Sequence, residues 1–150
     1  MSAAVGPNPS SPTAESLVVG ADLYLKYRPI SRQSHTVVSL QAEALTRRRE
    51  TAAGVLADSG LYAQLVWKFA ERWATGARYD FATGVANDAL DPDWTGDRHR
   101  ATADLTFFPT EFSRLRLQGS ADVPTWLPEP IYAAFLGLEV AVGAHGAHAF

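Results

Sequence analysis

Apolar and polar residues alternate along most of the chain between residue 17 and the C-terminus. Between Leu61 and Phe69, the odd positions are apolar and the even positions include Tyr62, Gln64 and Lys68. A period of two places successive side chains on opposite faces of a β-strand. Turn residues separate the alternating stretches, so each stretch is predicted to be one strand. The predicted strands are 17–28, 38–47, 61–69, 73–81, 100–107, 114–121 and 131–150.

The links between these strands alternate in length. Short links at 29–34, 70–72 and 109–112 are followed by longer ones at 50–59, 85–98 and 122–130. This alternation predicts an antiparallel up-and-down sheet with two different rims, as in membrane barrels, whose strands span about 9–11 residues. Aromatic residues adjoin the short links, as an interfacial belt would: Tyr27, Trp67, Phe69, Trp73, Phe107, Phe108 and Phe112. The rings predicted at the opposite rim are Tyr79, Phe81 and Tyr132.

Two stretches depart from the alternation. Residues 41–57 are rich in good helix formers, and strand plus loop is favoured there over an amphipathic helix. Residues 1–16 are rich in Pro and Ser and are predicted to be a flexible tail or loop ahead of a β-barrel segment at 17–150. The N-terminus has neither a basic region nor an apolar run, so it is not a signal peptide.

Composition excludes several classes of function. The chain has 150 residues, a formal net charge of −3 and no cysteine, so bulk charge indicates no nucleic-acid partner and thiolate chemistry is excluded. No apolar run is long enough for a transmembrane helix. Nor is there a nucleophile–base pair, a phosphate-binding glycine loop or a carboxylate dyad at a useful spacing. We therefore expect no enzymatic role and no cofactor.

The stretches GADLYLKYRP, GLYAQLVWKFAERWATGARYDF, FFPTEFSRLRLQ and GAHGAHAF carry a resemblance. Together, and with the chain ending on Phe150, they resemble the C-terminal part of a bacterial outer-membrane β-barrel of the porin or TonB-dependent-receptor type. The resemblance implies an all-β fold: an antiparallel up-and-down transmembrane barrel segment of about seven strands, forming part of a larger barrel. It implies location in the bacterial outer membrane. Without a signal peptide, the chain is then expected to be a fragment or a truncated gene product.

The resemblance also implies a role in a channel or transporter for small solutes. Its expected partners are outer-membrane lipid, a small solute or ion, and the missing remainder of the barrel or other subunits. Charged residues on the inward parity are then the candidate pore-lining set, although salt bridges within a polar interior explain them as well. This set is Asp22, Lys26, Arg28, Glu43, Lys68, Arg78, Asp80, Arg100, Asp104, Arg114, Arg116 and Glu139.

Two smaller features have possible chemistry. Arg114 and Arg116 are two residues apart on one predicted strand and could meet an anionic solute. His145 and His148 are weak candidates for a metal site. Because they are three apart in an extended chain, they point to opposite faces and lack companions, so a solvated tail is the favoured interpretation.

A soluble antiparallel barrel or sandwich that binds a small ligand is the alternative from another class. It explains the alternation equally well, because it would bury the apolar face and expose the polar one. It explains the aromatic residues beside the short links less well. An autotransporter-like or adhesive barrel is a third option. The direction in which the apolar faces point discriminates between the first two.

Overall fold

The computed structural model describes residues 1–31, 35–85, 88 and 92–141. Within these ranges the chain is all-β, with one antiparallel sheet of eight strands and no helix. Consequently the described ranges contain no helix long and apolar enough to span a membrane. The strands are β1 (Ser2–Pro7), β2 (Glu15–Tyr27), β3 (Val37–Thr51), β4 (Gly54–Ala70), β5 (Trp73–Ala82), β6 (Arg98–Thr110), β7 (Ser113–Pro124) and β8 (Ile131–Val140).

Each strand pairs with its neighbours in the chain, so the sheet is a simple up-and-down meander. This confirms the predicted all-β class and the antiparallel order. β1 and β8 lie at opposite edges and do not pair with each other, so the described strands do not close into a barrel. Both edges therefore present unpaired backbone N–H and C=O groups.

The N-terminal region differs from the expected flexible tail, because Ser2–Pro7 forms β1 against the first half of β2. Ala3 and Val5 oppose Val19 and Leu17, which continues the apolar face of the sheet. The prolines and serines responsible for the prediction lie mainly in the following turn. There Asn8 receives a hydrogen bond from the Ser10 amide (2.9 Å) and donates to the Glu50 carbonyl (3.1 Å).

The expected long link at 50–59 is also wrong, because the structure has one long hairpin there. β3 continues to Thr51 and β4 begins at Gly54, and the two strands remain in register throughout. Gly54 has a φ of 132°, which glycine adopts readily, and Thr51 Oγ1 donates to its carbonyl at 2.9 Å. Residues 41–57 are thus strand on both sides of a two-residue turn, and the helical alternative is excluded.

The structure describes only the part of the predicted last strand, 131–150, that ends at Ala141. β8 ends at Val140, and Ala141 donates a backbone hydrogen bond to the Phe112 carbonyl at 2.8 Å. All ten residues of β8 pair with β7. His145, His148 and Phe150 lie outside the described residues.

Candidate functional site

The sheet separates polar from apolar side chains. Directly paired residues of an antiparallel sheet share a face. One such row crosses seven strands, and we call the face that carries it the polar face. The row is Asp22, Glu43, Tyr62, Asp80, Arg100, Asp122 and Ile131.

In the central strands β4 to β7, the opposite face, here the apolar face, is the more exposed of the two, whereas the second half of β2 and almost all of β8 are exposed on both faces. Along β4, residues on the apolar face such as Leu65 and Trp67 are exposed, whereas Gln64 and Lys68 on the polar face are partly buried. Leu65 is 45% exposed and Leu138, near the sheet edge, is 71% exposed. The only buried apolar residues in the described part are Ala14 and Ala74. The sheet is therefore inverted relative to a water-soluble domain, which would bury its apolar side chains.

Aromatic residues lie at both ends of the apolar face. Beside the 71–72 turn, Trp67 packs on Phe69 with ring centroids 5.4 Å apart, and Trp73 packs on Phe107 at 4.7 Å. At the other end, Tyr79 Oη lies 2.7 Å from His99 Nδ1. Phe81 packs on the same imidazole at 4.9 Å. Between Trp73 and Phe81 the strand extends about 27 Å, at about 3.3 Å per residue.

Not every aromatic residue of the predicted belt is on that face. Phe108 follows Phe107 on the opposite side of β6, and its ring centroid lies 5.8 Å from Lys68 Nζ. The β6–β7 register shifts between Phe107 and Thr110, beside this position. Phe108 therefore contributes to the polar face.

The structure brings the candidate pore-lining residues to one face. All of them except Arg28 lie within strands at positions of the polar parity, and Arg28 directly follows the last residue of β2. Those in strands are Asp22, Lys26, Glu43, Lys68, Arg78, Asp80, Arg100, Asp104, Arg114, Arg116 and Glu139. Because these side chains share one face, they can line a common lumen, and they can equally pair with one another.

Several members of this set form ion pairs. Arg78 donates from Nε and Nη2 to Asp80, two residues further along β5, at 2.8 and 2.5 Å. Its guanidinium carbon also lies 4.0 Å from the centre of the Tyr62 ring, and Tyr62 Oη accepts a hydrogen bond from Gln41 at 2.8 Å. A cation over an aromatic face and a bidentate carboxylate hold the guanidinium in one orientation.

The two arginines suggested for an anionic solute already have acceptors. Arg114 donates to Glu139, the residue directly opposite it on β8, with its Nε at 3.0 Å. Arg116 Nε donates to Thr106 Oγ1 at 3.3 Å and lies 3.9 Å from an Asp104 carboxylate oxygen. The interpretation as internal salt bridges fits these contacts more directly than an open anion site does.

The most buried carboxylate of the polar face is one that the sequence did not indicate. Asp122 has a side chain only 6% exposed and accepts hydrogen bonds from two arginines of β6. Arg98 donates from Nε and Nη2 at 2.9 and 2.6 Å, and Arg100 does so at 3.1 and 2.6 Å. Asp122 and Arg98 lay just outside the predicted strands, so extending the alternation by one or two residues would have found both.

The link between β5 and β6 contributes a tryptophan to this end of the sheet. Trp94 packs on Trp126 of the β7–β8 link with centroids 5.6 Å apart, and its ring lies 5.2 Å from the Arg98 guanidinium carbon. Two cavities, of about 340 and 400 Å³, have Trp94 in their walls. No periodic signal marks Trp94, because its position depends on the course of a link.

Two further arginines, near the end of β3 that precedes the 52–53 turn, form ion pairs on the polar face. Arg49 forms an ion pair with Asp88, and both side chains are almost fully buried. Arg47 donates to Asp58, its direct partner on β4. Of these four residues, only Asp58 lies in the segment 50–59 that was expected to be a loop.

No group of three or more metal-ligating side chains occurs in the part of the chain that the structure describes. Of the histidines in that part, His99 contacts Tyr79 and Phe81 as described above.

Comparison with known proteins adds one relative. The chain is 32% identical over 146 residues to an uncharacterised protein of Aquifex aeolicus, an alignment covering 89% of this chain and 30% of that protein. The chain thus spans less than a third of the length of this relative. No family model matches the chain, and no solved structure matches it.

Proposed function

We propose that this chain forms part of the wall of a bacterial outer-membrane β-barrel through which small solutes pass, and that it has no catalytic role. In this role the apolar face contacts lipid and the polar face lines the lumen. Its further partners are the remaining strands of the barrel, supplied by a longer polypeptide or by other subunits.

The inverted sheet is the observation that supports this proposal best. A bilayer accommodates an exposed apolar face, and a barrel lumen accommodates partly buried charges that pair with one another. The aromatic residues at both ends of the apolar face would lie at the two interfaces. The nine residues from Leu61 to Phe69 alternate between exposed and partly buried positions without interruption, a length close to the 9–11 residues that a tilted membrane strand needs.

The two unpaired edges support a larger barrel. In hydrocarbon, unpaired backbone groups cost several kcal/mol each, so an open sheet edge is not tolerated there. Among the described strands, β8 is unpaired along one side, and β1 covers only the first part of β2. The Aquifex relative is long enough to supply further strands, since the chain aligns with only 30% of it.

The soluble ligand-binding alternative has weaker support. A sandwich or soluble barrel would turn its apolar face towards a core. Here Leu117, Leu136 and Leu138 of the apolar face remain more than half exposed. A partner covering this whole face would be required, and nothing in the described residues indicates one.

The tryptophans allow a direct test, because two lie on the apolar face and two in the β5–β6 and β7–β8 links. Four variants would each retain one tryptophan and carry Phe at the other three positions, in the full chain refolded into liposomes. Trp67 and Trp73 should be quenched strongly by lipids brominated in the acyl chain, whereas Trp94 and Trp126 should not. Acrylamide in the aqueous phase should quench Trp94 and Trp126 more than the other two.

The comparison is internally controlled, because all four variants share the same fold and differ only in the reporter position. Equal quenching of the four tryptophans by brominated lipid would contradict the proposal. So would recovery of the folded chain as a monomer in aqueous buffer that does not float with liposomes.

A further inference from the structure

A cavity of about 340 Å³ lies on the polar face, where β3 to β6 approach the β5–β6 link. Its volume is that of a small-molecule site. The sequence explains the space, because the row across its floor carries Leu45, Gly60 and Ala82, and the last two have small side chains. Trp94 forms another wall of the cavity, so the walls combine a large ring with charged groups.

Hydrogen-bond donors in the cavity walls lack acceptors. The indole Nε1 of Trp94 is buried and has no hydrogen-bond partner. Arg100 uses Nε and Nη2 on Asp122, which leaves the two N–H groups of Nη1 without an acceptor among the described residues. A buried donor without an acceptor, such as the Trp94 indole, destabilises the protein, and an acceptor brought by a ligand would remove that cost. The Arg100 side chain is 46% exposed, so its Nη1 group is accessible to a ligand from solvent.

The ring and the guanidinium are both held in place. Trp94 is packed against Trp126, with Arg98 over its ring, and Arg100 is fixed by the buried carboxylate of Asp122. A site whose groups are already ordered loses little conformational entropy when a ligand binds. A flat indole surface suits a planar apolar body, and a guanidinium suits a carboxylate.

We propose that this cavity binds a small planar organic anion, with its carboxylate at Arg100 and its ring against Trp94. The proposal rests on the proposed function, of which it names the solute class. Binding is non-covalent and changes no bond. The anion would meet this site on the polar face, at the end of the sheet where the β5–β6 and β7–β8 links lie.

Glu43 places a negative charge in the cavity wall, and this charge affects which ligands bind. It lines the same cavity and, among the described residues, forms no ion pair. Its carboxylate faces the cavity from β3, three strands away from Arg100. A negative charge on this wall opposes an anionic ligand, so its removal should strengthen binding of an anion and weaken binding of a cation.

The test measures equilibrium binding of three matched probes, benzoate, benzamide and benzylammonium, to the full chain refolded in detergent micelles. Calorimetry reports the Kd of every variant, because the chain has four tryptophans and one variant lacks Trp94. Benzoate should bind best and benzylammonium worst. Arg100→Gln should raise the Kd for benzoate about tenfold or more, as expected for loss of a charge-assisted hydrogen bond. Trp94→Phe should weaken it several-fold through loss of the indole donor.

Two further variants guard against effects of misfolding. Glu43→Gln should lower the Kd for benzoate, a gain that a damaged fold would not produce. Arg48→Gln removes an arginine from the apolar face of β3 and should leave the Kd unchanged. The proposal is overturned if benzoate shows no saturable binding, if benzylammonium binds as well as benzoate, or if Arg100→Gln leaves the benzoate Kd unchanged in a folded protein.

This binding experiment requires no passage across a membrane, so it separates the two proposals. Absence of benzoate binding together with quenching of Trp67 and Trp73 by brominated lipid would reject the anion site and leave the barrel wall standing. Benzoate binding by a chain in which brominated lipid does not quench Trp67 and Trp73 would support the site and reject the proposed function.

Discussion

Arg47 donates two hydrogen bonds, from Nε and Nη2, to the same carboxylate oxygen of Asp58 at 2.9 and 2.5 Å. The two residues are direct partners of β3 and β4, so this pair joins the two strands beyond the level of the cavity. The neighbouring pair, Thr46 and Ser59, lies on the apolar face and adds a hydroxyl–hydroxyl hydrogen bond of 3.1 Å. Paired side chains on both faces explain why the polar end of the hairpin stays in register.

We expect Arg47→Ala to destabilise the end of this hairpin by about 1 kcal/mol, because the pair is bidentate but partly exposed. Hydrogen exchange of the amides on both sides of the turn should accelerate, while exchange in β6 and β7 should not. The reversed pair, Arg47→Asp with Asp58→Arg, should recover most of the protection. Protection unchanged in Arg47→Ala would mean that the backbone ladder alone holds the hairpin.

A larger effect is expected at Asp122, because its carboxylate is buried and serves two guanidinium groups at once. Asp122→Asn would leave Arg98 and Arg100 facing each other with a neutral amide between them. Loss of about 2–3 kcal/mol of unfolding free energy should follow, measured by urea titration in lipid or detergent. Asp22→Asn is the matched control, because that side chain is 71% exposed and its ion-pair partner among the described residues is the N-terminal amine at 3.7 Å. Equal effects of the two substitutions would contradict the structural role assigned to Asp122.

The base of the β5–β6 link offers a steric prediction. A Cβ at Gly84 would lie only 2.4–2.5 Å from backbone atoms of Gly96, so the two sides of the link would have to separate. Gly84→Ala should therefore displace Trp94 and raise its accessibility to acrylamide, in a variant that has Phe at the other three tryptophan positions. Gly119→Ala is the control, because a Cβ there meets nothing within 4 Å. Unchanged quenching of Trp94 in Gly84→Ala would show that the close approach does not hold the link.

The link lengths predicted the up-and-down order of seven of the eight strands, and the period of two predicted the common face of the charged residues. It also placed Arg78 and Asp80 on one side of β5, although not their bidentate pairing. The alternation failed at strand ends. The prolines of the neighbouring turn concealed β1, and the outer half of the β3–β4 hairpin was assigned to a long link at 50–59.

The cavity could not be predicted, because its parts come from different levels of structure. Gly60 and Ala82 matter only once they are neighbours across paired strands. Trp94 belongs to a link, and its place against Trp126 depends on where two links meet. Such tertiary contacts leave no period in the sequence, whereas Arg98 and Asp122 would have been found with slightly longer strand boundaries.

The two faces of β4 provide the most direct test of the inverted sheet, because neighbouring residues there face opposite environments. Leu65 lies in the middle of the apolar face and Gln64 on the polar face. In liposomes, Leu65→Arg should lower the unfolding free energy by about 2–4 kcal/mol, the cost of a charge near the middle of the lipid-facing band. Gln64→Arg introduces the same side chain one residue away and should change stability by less than about 1 kcal/mol, since it adds a charge to a face that already carries several. Urea titrations of the two variants in the same lipid give the comparison.

A polar lumen and a lipid-facing exterior require this difference between the two variants. A chain that buries its apolar face in a protein core would also be destabilised by Leu65→Arg. In that case, however, the loss of unfolding free energy would be the same in detergent-free buffer as in lipid. The decisive result is therefore the dependence on lipid: the penalty for Leu65→Arg should grow as the acyl chains replace water around the folded chain.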